Sequence, residues 1–180
     1  MISRALFVVL IAFSPALVLA QERAEQQIRE ALEPLPPQLR DGTTVVLGQG
    51  PERRLLREGT NDLICRADSP APGFMAHCHH KDLDSLFSRM NQLYAQGKSS
   101  DEVRDQVSAE IESGELAPPL AGATEYILLG RNLEGALPIM TVSLPNATAE
   151  STGLPTERDS YRPWLMWAGT PLAHIMLPGN

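Results

Sequence analysis

Leu55 to His80 reads LLREGTNDLICRADSPAPGFMAHCHH, and the way this stretch is folded decides what the rest of the chain can be. It holds both cysteines, three of the four histidines and a turn-rich insert between two apolar runs. Cys65 and Cys78 stand 13 positions apart. Between them Pro70, Pro72 and Gly73 mark an irregular loop and not a continuing strand. Two cysteines in an exported chain are expected to be oxidised, so a Cys65–Cys78 disulfide is the favoured reading. The rival is a metal site, because Cys78 lies within His77-Cys78-His79-His80, and thiolate and imidazole are good zinc or copper ligands. The spacing speaks against it, since compact zinc sites present ligands in close pairs at both ends and here a second pair would be borrowed from as far away as His174. No bound metal and no cofactor is expected.

Upstream, residues 1–20 carry one basic residue, Arg4, an apolar run from Ala5 to Ala20, and the small-residue ending Val18-Leu19-Ala20. This is the pattern of a secretory signal peptide. The alternative is a retained membrane anchor, but Pro15 interrupts the run, which is near the lower length limit for spanning. The mature chain is expected to begin near Gln21 and to lie in the periplasm or outside the cell. Losing Arg4 takes the formal charge from −7 to −8. Such an acidic chain is a poor partner for nucleic acid and anionic membranes, and no stable membrane insertion is expected after cleavage.

Gln21 to Glu33 is rich in helix formers with Ala24, Ile28 and Leu32 along a narrow stripe, and Pro34, Pro36 and Pro37 end it. Residues 21–40 read as a loosely docked helical arm and linker, and residues 41–180 as one domain. Thr43 to Leu47 is a short β-branched strand. Gly48-Gln49-Gly50 begins like a dinucleotide fingerprint, but Arg53 stands where the third glycine belongs and no helix pattern follows. Arg54–Glu58 and Asp62–Arg66 are further strand material around the Gly59-Thr60-Asn61 turn.

Asp82 to Gly97 is the clearest helix. Leu83, Leu86, Phe87, Met90, Leu93 and Tyr94 make one broad apolar face, with Asp82 placed to cap the start and Gly97 to end it. Ser99 and Glu102 form a capping-box pattern for a second helix carrying Val103, Val107 and Ile111. Ala123–Leu129 is a strand dense enough to be buried on both faces, and Leu137–Leu144 should pair with it as a hairpin. Asn146 to Ser160 is a long polar loop, either functional or decorative, with Asn146-Ala147-Thr148 matching a glycosylation acceptor. After Trp164-Leu165-Met166-Trp167 and the Gly169-Thr170-Pro171 turn, Leu172–Leu177 is the closing strand. His174 shares its apolar face with Leu172 and Met176, where a histidine reads first as a hydrogen-bonded core residue. The fold class is α+β: a mainly antiparallel sheet of about five strands with two helices packed against it.

Leu56-Arg57-Glu58-Gly59-Thr60-Asn61, Cys65, Asp68, Cys78, and Gly169-Thr170-Pro171 followed by His174-Ile175-Met176 together resemble a group of uncharacterised secreted bacterial proteins with a signal peptide. Those share a pattern near L-R-x-G-[ST]-N and a cysteine, a second cysteine after an aspartate-containing loop, and a closing G-P-H-V-M strand. This chain departs by inserting Thr170–Ala173 before His174 and by carrying Asp62-Leu63 where relatives have glycine and tryptophan. The resemblance implies export and a bacterial source, and carries no activity with it.

There is no esterase elbow, no His-Glu-x-x-His helix and no phosphate loop. The first functional expectation is a non-catalytic exported domain that binds a small molecule or an envelope partner, with Asn61, His80, Glu150 and His174 as candidate ligand-binding residues. Its surface would be a shallow polar groove where the 59–61 turn, the 146–160 loop and the 169–171 turn converge. The alternative is an enzyme, such as a metal-dependent hydrolase, using His80 and His174 with Glu150 or Asp62 as carboxylate partner. A purely structural envelope component is the weakest of the three.

Overall fold

A glycine sets the topology. In the computed structural model, which describes residues 15–48, 53–67 and 73–179, strand β1 (Thr44–Leu47) pairs antiparallel with β2 (Arg54–Arg57) and parallel with β3 (Leu63–Arg66). The chain therefore leaves β2 on one side of β1 and must step over the start of β1 to reach the other side. Gly59 makes that step so closely that a Cβ would lie 2.3 Å from the Thr44 nitrogen and 2.4 Å from the Gly42 oxygen. The amides of Thr60 and Asn61 donate to the Gly42 carbonyl at 2.7 and 2.8 Å. Arg57 donates to the carbonyls of Arg40 and Thr43 from the same side. The Leu56–Asn61 motif is thus the clasp of a crossover.

The sheet continues with β4 (Phe74–His80), β5 (Thr124–Gly130), β6 (Leu137–Ser143), β7 (Trp164–Met166) and β8 (His174–Pro178), in the order β2-β1-β3-β4-β5-β6-β8-β7. The α+β class holds, but the sheet is mixed and has eight strands among the described residues where about five, mainly antiparallel, were expected. The excess has a physical cause. β4 is built of Phe, Met, Ala, His and Cys without one β-branched residue, so it lacks the usual strand signature. β7 is only three residues long. The parallel pair depends on the Gly59 crossover, which short strands do not announce.

Cys65 and Cys78 face each other in the antiparallel β3–β4 register and are joined by a disulfide. The bond ties two neighbouring strands, and part of the insert between them (residues 68–72) lies outside the described residues. Helix α1 (Pro15–Leu32) sits on the disulfide, with Ala31 buried and its carbonyl oxygen 3.3 Å from Cys78 Sγ. Leu32 and Leu35 complete this core with Val45, Leu63 and Ala67. The last turn of the N-terminal helix is therefore core and not a loose arm; its stripe is narrow because small Ala31 lets the helix lie close to the sheet. Residues 1–14 of the expected signal segment fall outside the described residues, and residues 15–20 belong to α1. Among the described residues no helix is long and apolar enough to cross a membrane.

The opposite face carries α3 (Asp84–Ala95) and α4 (Ser100–Glu112), numbered after the short α2 (Pro37–Arg40). Leu83, Leu86, Met90 and Leu93 are buried against Val103, Val107 and Leu172, as the helical stripe requires. The start differs in detail from expectation: Lys81–Leu83 is a 3-10 turn capped by the His80 side chain, which accepts from the Asp82 amide, so Asp82 is not the cap. The capping box of Ser99 and Glu102 is formed. β5 and β6 pair as the expected hairpin, but β5 is half-buried and not covered on both faces, because α1 packs over β1 to β4.

Candidate functional site

Alternation along β4 divides its side chains between the two faces of the sheet. Cys78 points to α1, while His77 and His79 point to α3 and meet Phe87, whose ring centroid is 4.9 Å from His77 and 5.0 Å from His79. His79 donates through Nε2 to Asp84 Oδ1 at 3.1 Å, and Arg53 holds both Asp84 oxygens at 2.6 and 2.8 Å. Burial pushes the His79 pKa below that of a free imidazole and outweighs the hydrogen bond to Asp84. The neutral ring then has its proton on Nε2 and a buried Nδ1 lone pair without a partner. Asp84, accepting from His79 and Arg53, is held down to about 2 despite partial burial. The crevice between these groups encloses about 30 Å³, too small for an organic ligand.

On the other side of Phe87 the sheet and helix part to leave a cavity of about 230 Å³. Its roof comes from Leu83, Leu86 and Met90, and its walls from Ile127, Trp167 and Met176. Four polar side chains stand on its floor: Glu125, Thr141, Ser143 and His174. Strand register explains why they converge. Glu125 lies opposite Thr141, Ser143 lies two residues on, and Ser143 lies opposite His174, so all four point to the same face.

Glu125 is almost enclosed. Its Oε2 is 3.1 Å from His77 Nε2 and its Oε1 accepts from the Thr141 hydroxyl at 2.8 Å. Burial raises its pKa, but the hydrogen bond and charge of His77 and the Thr141 hydroxyl overcome this, so the carboxyl ends below its ordinary value and is ionised at neutral pH. His174 Nδ1 is 2.8 Å from the Leu172 carbonyl oxygen. A carbonyl only accepts, so Nδ1 carries the proton, and in the neutral ring Nε2 is the acceptor. Trp167 meets the His174 ring edge-on at 5.3 Å. Neither His174 Nε2 nor the Ser143 hydroxyl has a hydrogen-bond partner among the described residues.

The four residues singled out from sequence are dispersed. His174 is on the cavity floor. Asn61 spends its amide on the crossover, donating to the Leu39 carbonyl and Thr43 Oγ1 and accepting from the Leu63 amide. His80 caps the 3-10 turn, and strand alternation puts it on the α1 side with Cys78, across three strand spacings from His174, roughly 14 Å. Glu150 is exposed in the first turn of the short α5 (Ala149–Thr152). Asp62 is on the surface, paired with Lys81 at 2.6 Å. The His80–His174 pair needed by the enzyme alternative is therefore not assembled. The metal alternative needed Cys78 as a thiolate, and Cys78 is in the disulfide. Among the described residues no three His, Cys, Asp or Glu side chains are grouped to hold a metal ion.

The expected convergence of loops is half realised. The 146–160 and 169–171 segments join through Asn146 N to Thr170 O at 2.8 Å and Gly169 N to Ala147 O at 2.7 Å. The 59–61 turn lies four strand spacings away, roughly 19 Å. Glu125, Thr141 and Ser143 escaped the sequence reading. A signal was there: a carboxylate inside the apolar run Ala123–Leu129, and hydroxyls alternating with Met140, Val142 and Leu144. The chain matches no family model, and no curated protein or solved structure matches it.

Proposed function

We propose that the chain is an exported, non-catalytic domain that binds a small, largely apolar molecule in the cavity between α3 and strands β5, β6 and β8. The cavity itself carries this reading: a half-open apolar recess of about 230 Å³ with a few convergent polar groups on its floor is how ligand sites are built. A concave recess suits a small molecule better than an envelope protein. Absence of catalysis is supported by geometry. Ser143 and His174 are direct cross-strand neighbours yet share no hydrogen bond, and Glu125 is engaged by His77 and Thr141 instead of orienting His174. Export is supported by the basic-then-apolar start, by the resemblance to secreted bacterial proteins, and by a disulfide of the kind that persists in oxidising compartments.

The test is a thermal-shift screen of metals and metabolites on the protein lacking residues 1–20, repeated on Met176→Trp, which places an indole in the cavity. A ligand at a hundred times its Kd adds about 2.7 kcal/mol to the native state, equivalent to a rise of roughly 5–10 °C for a domain of this size. Hits should move wild type and fail on the variant, whose circular dichroism should be unchanged. Full shifts on Met176→Trp would place the ligand elsewhere, and a screen without hits would remove the proposal.

A further inference from the structure

We infer that the cavity selects a ligand with a compact apolar body ending in a primary amine, and rejects the carboxylate of the same shape; this rests on the cavity being the ligand site. The floor presents acceptors. Glu125 is a carboxylate whose two oxygens each keep a lone pair beyond the bonds from Thr141 and His77. His174 has Nδ1–H tied to the Leu172 carbonyl at 2.8 Å, so Nε2 is left as the acceptor. Ser143 Oγ, opposite His174 in the register, accepts as readily as it donates. An ammonium has three donors and no acceptor, and the cavity floor offers acceptor-bearing side chains on three adjoining strands, one of them charged. A ligand carboxylate would bring a second negative charge to Glu125 in a half-open apolar recess, where like charges repel more strongly than in water.

The body is bounded by volume and by wall chemistry. A cavity of roughly 150 Å³ lined by apolar side chains holds benzene, so about 230 Å³ accommodates one ring with a two- or three-carbon chain. The roof of Leu86, Phe87 and Met90 and the edge of Trp167 suit such a ring. The acidic chain, at −7 overall, also draws cations toward its surface.

The experiment titrates three probes that share a phenyl ring and a two-carbon chain, 2-phenylethylamine, propylbenzene and 3-phenylpropanoate, into the protein lacking residues 1–20 at pH 8. Binding is read by calorimetry and by the fluorescence of Trp164 and Trp167. The amine should bind at least about tenfold more tightly than the carboxylate, a gap of about 1.4 kcal/mol, and more tightly than propylbenzene. In Glu125→Gln, which keeps size and an acceptor for Thr141, the amine's advantage should collapse. If the carboxylate or propylbenzene equals the amine in wild type, the inference is overturned while the cavity remains a ligand site. If all three leave heat and fluorescence unchanged, the cavity reading falls and the inference with it.

Discussion

Replacing Gly59 by alanine should unfold the chain more readily than any single change on the surface. The added methyl carbon would sit 2.3 Å from Thr44 N, 2.4 Å from Gly42 O and 2.4 Å from Thr43 C, all backbone atoms that no side-chain rotation can clear. Relief requires lifting the 58–61 segment off β1. That weakens three hydrogen bonds: Thr60 N and Asn61 N to Gly42 O at 2.7 and 2.8 Å, and Gly59 N to Thr44 Oγ1 at 3.1 Å. At about 1 kcal/mol each, the loss is about 3 kcal/mol. With a urea dependence of about 2 kcal/mol per molar, the unfolding midpoint should fall by about 1.5 M. Gly97→Ala is the control. Gly97 has φ +82 with nothing within 4 Å of the added atom, so only the left-handed backbone is penalised, by about 1 kcal/mol. A Gly59→Ala loss below about 1 kcal/mol, or one no larger than that of Gly97→Ala, would refute the claim that close backbone approach dictates this residue.

Reducing the Cys65–Cys78 bond, with its 13-residue separation, should lower unfolding stability by about 3 kcal/mol; urea titration with and without dithiothreitol, with a free-thiol count, checks it, and equal midpoints would refute it. Asp84→Asn should flatten the acid limb of the stability curve. The folded carboxyl is held at about 2 against an ordinary 3.8, so its contribution is complete above the unfolded value and fades as pH falls toward the folded one. Asparagine still accepts from His79, and superimposable acid limbs for wild type and variant between pH 4 and 2 would dispose of the reasoning.

What could be read from sequence followed from local periodicity. The α3 stripe needed only the spacing of Leu83, Leu86, Met90 and Leu93, all buried as expected, whereas Tyr94, assigned to the same face, is exposed. The Ser99 capping box and the β5–β6 hairpin are also local. β4 was hidden because both of its faces are covered by unlike partners. Ala76 and Cys78 go to the disulfide side, while His77 and His79 stack on Phe87. A histidine satisfied by a ring and a carboxylate from other elements looks, in isolation, like a surface or metal-binding residue. The site was only partly legible for the same reason. His174 was visible on its apolar strand, but Glu125, Thr141 and Ser143 become a cluster only through the β5–β6–β8 register. Asn61 had the look of a recognition residue because it lies in a turn, and it is the crossover that uses its amide.

The two faces of the sheet answer different demands. On the α1 side, Val45, Leu63, Ala31 and the disulfide make an apolar core whose chemistry is fully accounted for by stability. On the α3 side, the register sets His79, Glu125 and Thr141 in a row across the middle of the sheet, with His77, Ser143 and His174 beside them. A buried carboxylate with hydrogen-bonded partners is seldom more stable than an apolar filling of equal volume. Stability alone therefore does not ask for Glu125, nor for a recess left beneath α3 where Leu86 and Met90 could have met the sheet. A charge held below its ordinary pKa, beside a Ser143 hydroxyl and a His174 Nε2 that have no partner among the described residues, leaves hydrogen-bonding capacity to be met from outside the chain in a half-open apolar recess. That is the physical argument behind the proposal of a ligand site on this face.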